Sequence, residues 1–176
     1  MKALILAAGL GTRLLPLTKD TPKCMIKVGG KPVLEHLVDH LNSFGITEII
    51  VNLHHLPEKI YQHFGTRLLY FYEPKLLGEE RTERELQNWL GESYIVMNGD
   101  TLTDVDIGKM IVLSSNEEAE ILSVDDGVYT GTRVGRKWQG KILKVEFECY
   151  WVDIGTPEGL KKARDHYEKN KLNHLS

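Results

Sequence analysis

Short apolar runs alternate with amphipathic segments along roughly the first hundred residues of this chain. Each run is bounded by polar or turn-forming residues, which is typical of strands in a covered parallel sheet. These predicted strands span residues 3–8, 47–53, 67–72 and 94–97. The segments between them carry apolar residues at the helical period, and they predict helices at 33–44 and 57–64 and a third marked by Leu86, Trp89 and Leu90. The alternation predicts an α/β fold with a mostly parallel sheet and right-handed crossovers.

The pattern changes after about residue 106. Three further apolar runs, at residues 119–124, 128–134 and 142–151, predict strands joined by short turns and therefore a small antiparallel addition to the sheet. Asp104 and Asp106 are predicted to cap the short helix that precedes these strands. A lysine-rich helix is predicted over residues 157–170, with its charged side chains in solvent. We expect one domain over residues 1–176.

Composition narrows the classes of protein to which the chain can belong. Its 176 residues suit a single domain, and a net charge of −3 argues against a broad nucleic-acid surface. Its two cysteines, Cys24 and Cys149, provide no disulfide framework, so a reducing compartment is expected. The apolar run at residues 3–10 is too short to span a bilayer. We therefore expect a cytoplasmic protein without a nucleic-acid or membrane partner, and we leave a homo-oligomer open.

A loop with two glycines follows the first predicted strand. Gly9 and Gly11 allow a tight turn and let backbone N–H groups approach anionic oxygens. Arg13 adds a planar guanidinium that can hold phosphate oxygens at two points, and Lys23 adds a mobile positive charge. Two glycines alone are weak evidence, and without them Arg13 and Lys23 would be ordinary surface charges. Together the four residues predict a polyphosphate-binding loop.

Two aspartates also lie at predicted strand ends. Asp100 follows Asn98 and Gly99, and Asp153 lies between an apolar strand and a helix that starts at Pro157. In an open parallel sheet, ligands collect beyond the carboxyl ends of the strands. Taken alone, Asp153 is more often a cap or turn residue, and Asp100 is open between a structural role and a ligand role. With the glycine loop beside them, the pair favours a Mg²⁺ site against phosphate oxygens.

Four segments resemble the motifs of the sugar-phosphate nucleotidylyltransferases. The resemblance covers nearly the whole chain, and the order and spacing of the motifs are preserved at both ends. It implies a Rossmann-like, mostly parallel sheet similar to that of the glycosyltransferases of the A type. The segments are Leu6-Ala-Ala-Gly-Leu-Gly-Thr-Arg-Leu14, Pro22-Lys23, Asn98-Gly99-Asp100 and Trp151-Val-Asp-Ile-Gly-Thr-Pro157.

The resemblance implies a role for each matching residue. Arg13 would hold the β and γ phosphates of a nucleoside triphosphate and Lys23 would neutralise the α phosphate, which makes these two the catalytic residues. Asp100 and Asp153 would bind Mg²⁺. A phosphate oxygen of a sugar 1-phosphate would attack the α phosphorus and release pyrophosphate. The positions implied in nucleotide binding are Leu6, Ala8, Gly9, Gly11, Thr12, Arg13, Lys23, Gly78, Asn98 and Gly99.

Two departures from the family bear on the substrates. After Leu77-Gly78, the segment Glu79-Glu80-Arg81-Thr82 replaces small residues of the family, and it is expected to place bulky charged side chains where a base would enter. The acceptor-binding region at about residues 105–150 is shortened, and the glutamate-lysine-proline element that grips the sugar phosphate is absent. Within this region, Tyr129-Thr130-Gly131-Thr132 faintly resembles a sugar-contacting segment, but Gly131 is better interpreted as a strand bulge or turn.

These departures leave two alternatives open. One is nucleotidyl transfer to another small phosphomonoester such as phosphocholine, and the other is a non-catalytic sensor of nucleotides or sugar phosphates. A dinucleotide-dependent oxidoreductase is disfavoured, because Leu14 stands where the third glycine of the Gly-x-Gly-x-x-Gly fingerprint belongs.

Other conspicuous residues favour structural roles. His36 and His40 have the i, i+4 spacing of a helical metal pair, but no third ligand is evident in the sequence. Nothing around Cys24 indicates a reactive thiolate. Trp138 is either an exposed turn residue or a contact for a partner, and the sequence does not decide between them.

Overall fold

The computed structural model describes residues 1–137 and 141–173, so Trp138 lies outside the described residues. Its helices are α1 (Val33–Ser43), α2 (Pro57–Phe64), α3 (Glu79–Leu90), α4 (Ile107–Glu117) and α5 (Pro157–Asn173). Its strands are β1 (Lys2–Leu6), β2 (Lys27–Val28), β3 (Lys31–Pro32), β4 (Glu48–Leu53), β5 (Leu69–Tyr72), β6 (Ser93–Asn98), β7 (Thr101–Thr103), β8 (Glu120–Asp125), β9 (Val128–Arg136), β10 (Ile142–Glu146) and β11 (Trp151–Asp153).

A central sheet of seven strands in the order β10-β8-β9-β6-β1-β4-β5 organises the molecule. The pairs β1–β4, β1–β6, β4–β5 and β8–β10 are parallel, and only β9 runs against its neighbours β6 and β8. Two small antiparallel pairs, β7–β11 and β2–β3, lie outside this sheet. The predicted α/β fold with a mostly parallel sheet is thus confirmed.

Apolar side chains cover both faces of the central sheet because successive residues of a strand point to opposite sides. On one face, Ile5 and Ile95 belong to the largest core cluster, together with Leu37 of α1. On the other face, Leu4 packs in a cluster with Leu86 of α3. Strands buried on both sides must be apolar throughout, which is why the continuous runs at residues 3–8 and 94–97 predicted them.

Local signals account for the ends of the second helix. Pro57 occupies the first turn of α2, where its missing N–H is not needed, and Gly65 ends the helix with a φ of 55°. The predicted bounds, 57–64, are confirmed for this helix. Among the described residues, no helix is both long and apolar enough to cross a membrane.

The predicted strand at residues 142–151 is wrong as one element. It is two strands: β10 lies parallel to β8, and β11 lies antiparallel to β7. Between them, the N–H of Tyr150 donates to Oδ1 of Asp104 at 2.7 Å, which turns the chain toward β7. Because apolar residues recur through the whole segment, as at Val145 and Phe147, hydrophobic pattern alone could not locate the break. The predicted small antiparallel addition is confirmed by β9, which runs against β6 and β8, and by β11, which runs against β7, whereas β10 is parallel to its neighbour β8.

The two aspartates predicted to cap α4 have different roles. Asp106 is the N-cap, and its Oδ1 accepts from the N–H of Lys109 at 2.8 Å. Asp104 holds Tyr150 instead, so the capping role predicted for it is wrong. Gly131 lies within β9 with a φ of 81°, next to a register shift between Leu122 and Val124. The interpretation of this glycine as a strand bulge is confirmed.

Candidate functional site

A cleft of about 320 Å³ opens at the carboxyl ends of β1 and β6. The loop after β1 forms one wall, and the loop between β5 and α3 contributes Leu76 to another. Such a position, at the rim of a largely parallel sheet, is where ligands of α/β proteins bind. The lining residues are Leu6, Ala7, Gly9, Leu10, Gly11, Thr12, Arg13, Lys23, Cys24, Leu76, Gly99, Asp100 and Gly155.

The two glycines of the loop have different structural roles. Gly11 is left-handed, with a φ of 66°, and its carbonyl accepts from the hydroxyl of Thr18 at 2.8 Å. A Cβ on Gly11 would lie 2.8 Å from Cγ2 of Thr18, so the turn requires glycine there. A Cβ on Gly9 would meet no atom within 4 Å. Because Gly9 lines the cleft, its missing side chain leaves room for a ligand instead of relieving a clash.

Lys23 joins the two predicted metal-binding aspartates. Its ammonium contacts Oδ2 of Asp100 and lies 3.8 Å from Oδ1 of Asp153. The carboxylates come together because Asp153 pairs with Thr101 between β11 and β7, and the N–H of Ile154 donates to the carbonyl of Asp100 at 2.9 Å. The lysine side chain is 11% exposed, against 27% for Asp100 and 46% for Asp153. The sequence prediction that these three residues meet is therefore confirmed.

Gly155 is a part of the site that sequence reasoning missed. Its N–H donates to Oδ1 of Asp153 at 2.5 Å, which closes a turn, and any Cβ on it would stand against the ammonium of Lys23. The turn role and the ligand role considered for Asp153 are thus compatible, because the turn uses Oδ1 and leaves Oδ2. The Asp-x-Gly spacing was the available signal.

The two aspartates form a donor set that fits Mg²⁺. Both offer carboxylate oxygens, both remain partly exposed, and both already face one positive charge. Within the described ranges, no group of three or more histidine, cysteine, aspartate or glutamate residues could hold a metal. An ion at Asp100 and Asp153 would therefore need water or phosphate oxygens as further ligands, which is the usual situation for Mg²⁺.

Three of the residues predicted to bind nucleotide are not among those that line the cleft. Ala8 is only 6% exposed, and Gly78 immediately precedes α3, where its carbonyl accepts from the N–H of Thr82. Asn98 ends β6, and in the described part of the chain its buried Oδ1 has no hydrogen-bond partner. The nucleotide contacts expected of these three stay predictions.

The charged segment expected to obstruct a base does not line the cleft. Glu79 and Glu80 are exposed on the first turn of α3, and they line a separate cavity that also contains Arg133. Thr82 turns inward, is fully buried and donates to Oε1 of Glu73 at 2.5 Å. None of these side chains lines the cleft, so the obstruction of a base expected of this segment stays a prediction.

His36 and His40 hold the backbone. A ring nitrogen of His36 bonds the carbonyl of Val28, and its other nitrogen bonds the hydroxyl of Tyr167. His40 bonds the carbonyl of Val105 at 2.9 Å. These contacts support the structural interpretation of the histidine pair.

Cys24 is expected to resist alkylation in the folded protein. It is 2% exposed, and burial raises the pKa of its thiol to about 12. We expect iodoacetamide at about pH 7.5 to modify Cys149 alone, and slowly, because burial also raises the pKa of that half-buried thiol. Peptide mass mapping would check this, and an adduct on Cys24 without prior unfolding would contradict it.

Comparisons with known proteins agree with this geometry. Residues 2–130 match the family model described as Nucleotidyl transferase. The chain is 32% identical over 125 residues to UTP–glucose-1-phosphate uridylyltransferase AglF of Haloferax volcanii, covering 68% of this chain and 51% of that protein. It is 36% identical over 115 residues to D-glycero-alpha-D-manno-heptose 1-phosphate guanylyltransferase of Campylobacter jejuni, covering 62% of this chain and 52% of that protein. The chain thus spans about half the length of these curated relatives.

Solved structures share the fold. HddC from Yersinia pseudotuberculosis, complexed with GMP-PN, superposes with a TM-score of 0.81 at 24% identity, over 94% of this chain and 99% of that one. A UDP-glucose pyrophosphorylase complexed with UDP-glucose superposes with a TM-score of 0.82 at 15% identity, over 96% of this chain and 98% of that one. At these identities the likeness establishes the fold alone.

Proposed function

This chain belongs to the nucleotidyl transferase family, and from that we propose that it transfers a nucleoside monophosphate from a nucleoside triphosphate to a sugar 1-phosphate. The products are a nucleoside-diphosphate sugar and pyrophosphate. The observation that carries the proposal is the convergence of Lys23, Asp100 and Asp153 beside a glycine loop that Arg13 extends. A site built only to bind a sugar phosphate has little need of two carboxylates next to its cations.

The reaction needs no protein nucleophile and no general base. The phosphate of the acceptor is already ionised at neutral pH, so its oxygen attacks the α phosphorus directly. The new P–O bond forms as the bond to the β-phosphate oxygen breaks, and the negative charge leaves with pyrophosphate. The chain therefore contributes positioning and charge neutralisation.

Two cationic side chains of the cleft, Lys23 and Arg13, neutralise different phosphates of the triphosphate. Lys23 carries a compact charge on a flexible stem, which suits the α phosphate, where the bond changes occur. The guanidinium of Arg13 can hold oxygens of the β and γ phosphates at two points, and it thereby neutralises the charge of the pyrophosphate leaving group. Gly9 leaves the space above the loop free, so the phosphate chain can approach the backbone N–H groups.

Asp100 and Asp153 are the residues that would hold Mg²⁺. When bound, the ion supplies positive charge to phosphate oxygens. Support for this assignment comes from the chemistry of the donor set, which consists of two partly exposed carboxylates that converge on one cation. The names of the relatives differ in base and in sugar, so the proposal extends to the reaction class and leaves both identities to experiment.

Pyrophosphate release tests the proposal. The protein is mixed with Mg²⁺, one of the common nucleoside triphosphates and one of a panel of sugar 1-phosphates, with phosphocholine as a further acceptor. We expect pyrophosphate to appear only when a triphosphate and an acceptor are both present, together with a nucleoside-diphosphate product by mass spectrometry. Thermal stabilisation by a triphosphate without pyrophosphate from any pair would instead favour a non-catalytic sensor.

A further inference from the structure

A buried hydrogen-bond network lies behind the cleft. At its centre is Glu73, which is 1% exposed. Three donors reach its carboxylate: Nδ2 of Asn52 at 2.9 Å, the hydroxyl of Thr82 at 2.5 Å and the N–H of Leu77 at 3.0 Å. Asn52, itself 4% exposed, then accepts at Oδ1 from the N–H of Ala7 at 2.6 Å. These direct contacts join the ends of β1, β4 and β5 to the first turn of α3.

The two ends of this network reach two segments that line the cleft. Ala7 begins the loop after β1 and lines the cleft itself. Leu77 follows Leu76, which lines the cleft from the loop between β5 and α3. The network therefore connects these two walls through direct hydrogen bonds. Neither Glu73 nor Asn52 lines the cleft, so any effect on a ligand must pass through those walls.

The hydrogen bonds of the network have a fixed polarity. The backbone N–H of Ala7 can only donate, so Asn52 must present its oxygen there and its NH₂ group to Glu73. A carboxylate suits residue 73 because it accepts at both oxygens, from Asn52 and Thr82 on one side and from Leu77 on the other. A neutral amide at this position would place a donor against a donor, whichever way it turned.

From this arrangement we propose that Glu73, acting with Asn52, is a positioning residue that holds the two walls at the separation a nucleoside triphosphate requires. The inference rests on the proposed function, since it assumes that the cleft binds that ligand. It adds a determinant of nucleotide affinity that makes no contact with the nucleotide.

A charge swap tests the proposal. Glu73→Gln leaves one donor facing another, and Asn52→Asp places two carboxylates at the 2.9 Å contact, so each is expected to weaken triphosphate binding about tenfold or more. The double variant Asn52→Asp/Glu73→Gln reverses the bond between residues 52 and 73 and keeps the bond from Ala7, because the carboxylate at position 52 accepts from Ala7 and from the amide at position 73. The oxygen of that amide still accepts from Leu77, and the hydroxyl of Thr82 turns to the carbonyl of Gly78, 3.0 Å away. We expect the affinity of the double variant to return to within about threefold of the parent's.

Dissociation constants are measured by calorimetry on the full chain, with each common nucleoside triphosphate and Mg²⁺, at a temperature where circular dichroism shows every variant folded. Glu83→Gln is the matched control, because it neutralises another partly buried glutamate of the same region, one that pairs with Arg133 outside the cleft. Equal loss of affinity in this control at equal loss of thermal stability would overturn the proposal. So would a double variant that recovers the parent's unfolding temperature without its affinity. A parent that binds no triphosphate refutes the proposed function and this inference together, whereas failure of the inference alone appears only among the variants.

Discussion

Replacing Lys23 with methionine is expected to lower turnover about 100- to 1,000-fold while the fold stays intact. Methionine keeps most of the length and apolar stem of lysine, so the packing of a side chain that is 11% exposed should survive. The variant lacks the ammonium, which in the proposed reaction neutralises the α phosphate during the attack on its phosphorus. Steady-state rates of pyrophosphate release, with circular dichroism as the check on folding, measure the effect.

Lys27→Met is the control for this experiment. It makes the same chemical change at an exposed position of β2, so its turnover should equal that of the parent. A second readout follows from the ion pairs. In Lys23→Met the carboxylates of Asp100 and Asp153 lose the cation they share, so Mg²⁺ should raise the unfolding temperature of this variant more than that of the parent. Unchanged turnover in Lys23→Met would remove the central role given to this lysine.

Patterns within single segments predicted most of the fold. The central strands are apolar on both faces, and α2 carries proline at its start and glycine at its end, so each could be placed without knowledge of the rest of the chain. The break between β10 and β11 could not be placed in this way. It depends on the carboxylate of Asp104 bonding the backbone of Tyr150, a contact between residues 46 positions apart. Hydrophobic periodicity carries no information about such a contact.

The residues of the site also divide into those that local sequence patterns predict and those that depend on contacts between distant segments. Arg13, Lys23, Asp100 and Asp153 could be predicted because they follow strand ends, and parallel strands bring those ends to one rim. The positioning role proposed for Glu73 and Asn52 could not be predicted in this way. It depends on tertiary contacts that join three strand ends and one helix. The position of Glu79 and Glu80 outside the lining of the cleft could not be predicted for a related reason. Residue type indicates bulk and charge, but the start of α3 decides where those side chains lie.

Asp100→Asn is expected to lower turnover by a similar factor, about 100- to 1,000-fold, and to shift the Mg²⁺ titration to higher concentration. The amide has the shape of the carboxylate, and its oxygen can still accept from Lys23, so the variant removes charge without removing the contact. Loss of that charge lowers the affinity of the site for a divalent cation. Rates measured across a series of Mg²⁺ concentrations separate weaker metal binding from slower chemistry, because only the first recovers at saturating metal.

Asp153→Asn should have a smaller effect than Asp100→Asn. Its side chain is the more exposed of the two, at 46% against 27%, and its Oδ1 lies 3.8 Å from Lys23 and already accepts from the N–H of Gly155. An asparagine oxygen preserves that bond, so the turn before α5 should form as before. Asp165→Asn, an exposed change on α5, serves as the control for lost charge and should match the parent. Equal turnover in Asp100→Asn and Asp165→Asn would contradict a metal-binding role, whereas a graded loss would place the ion nearer to Asp100.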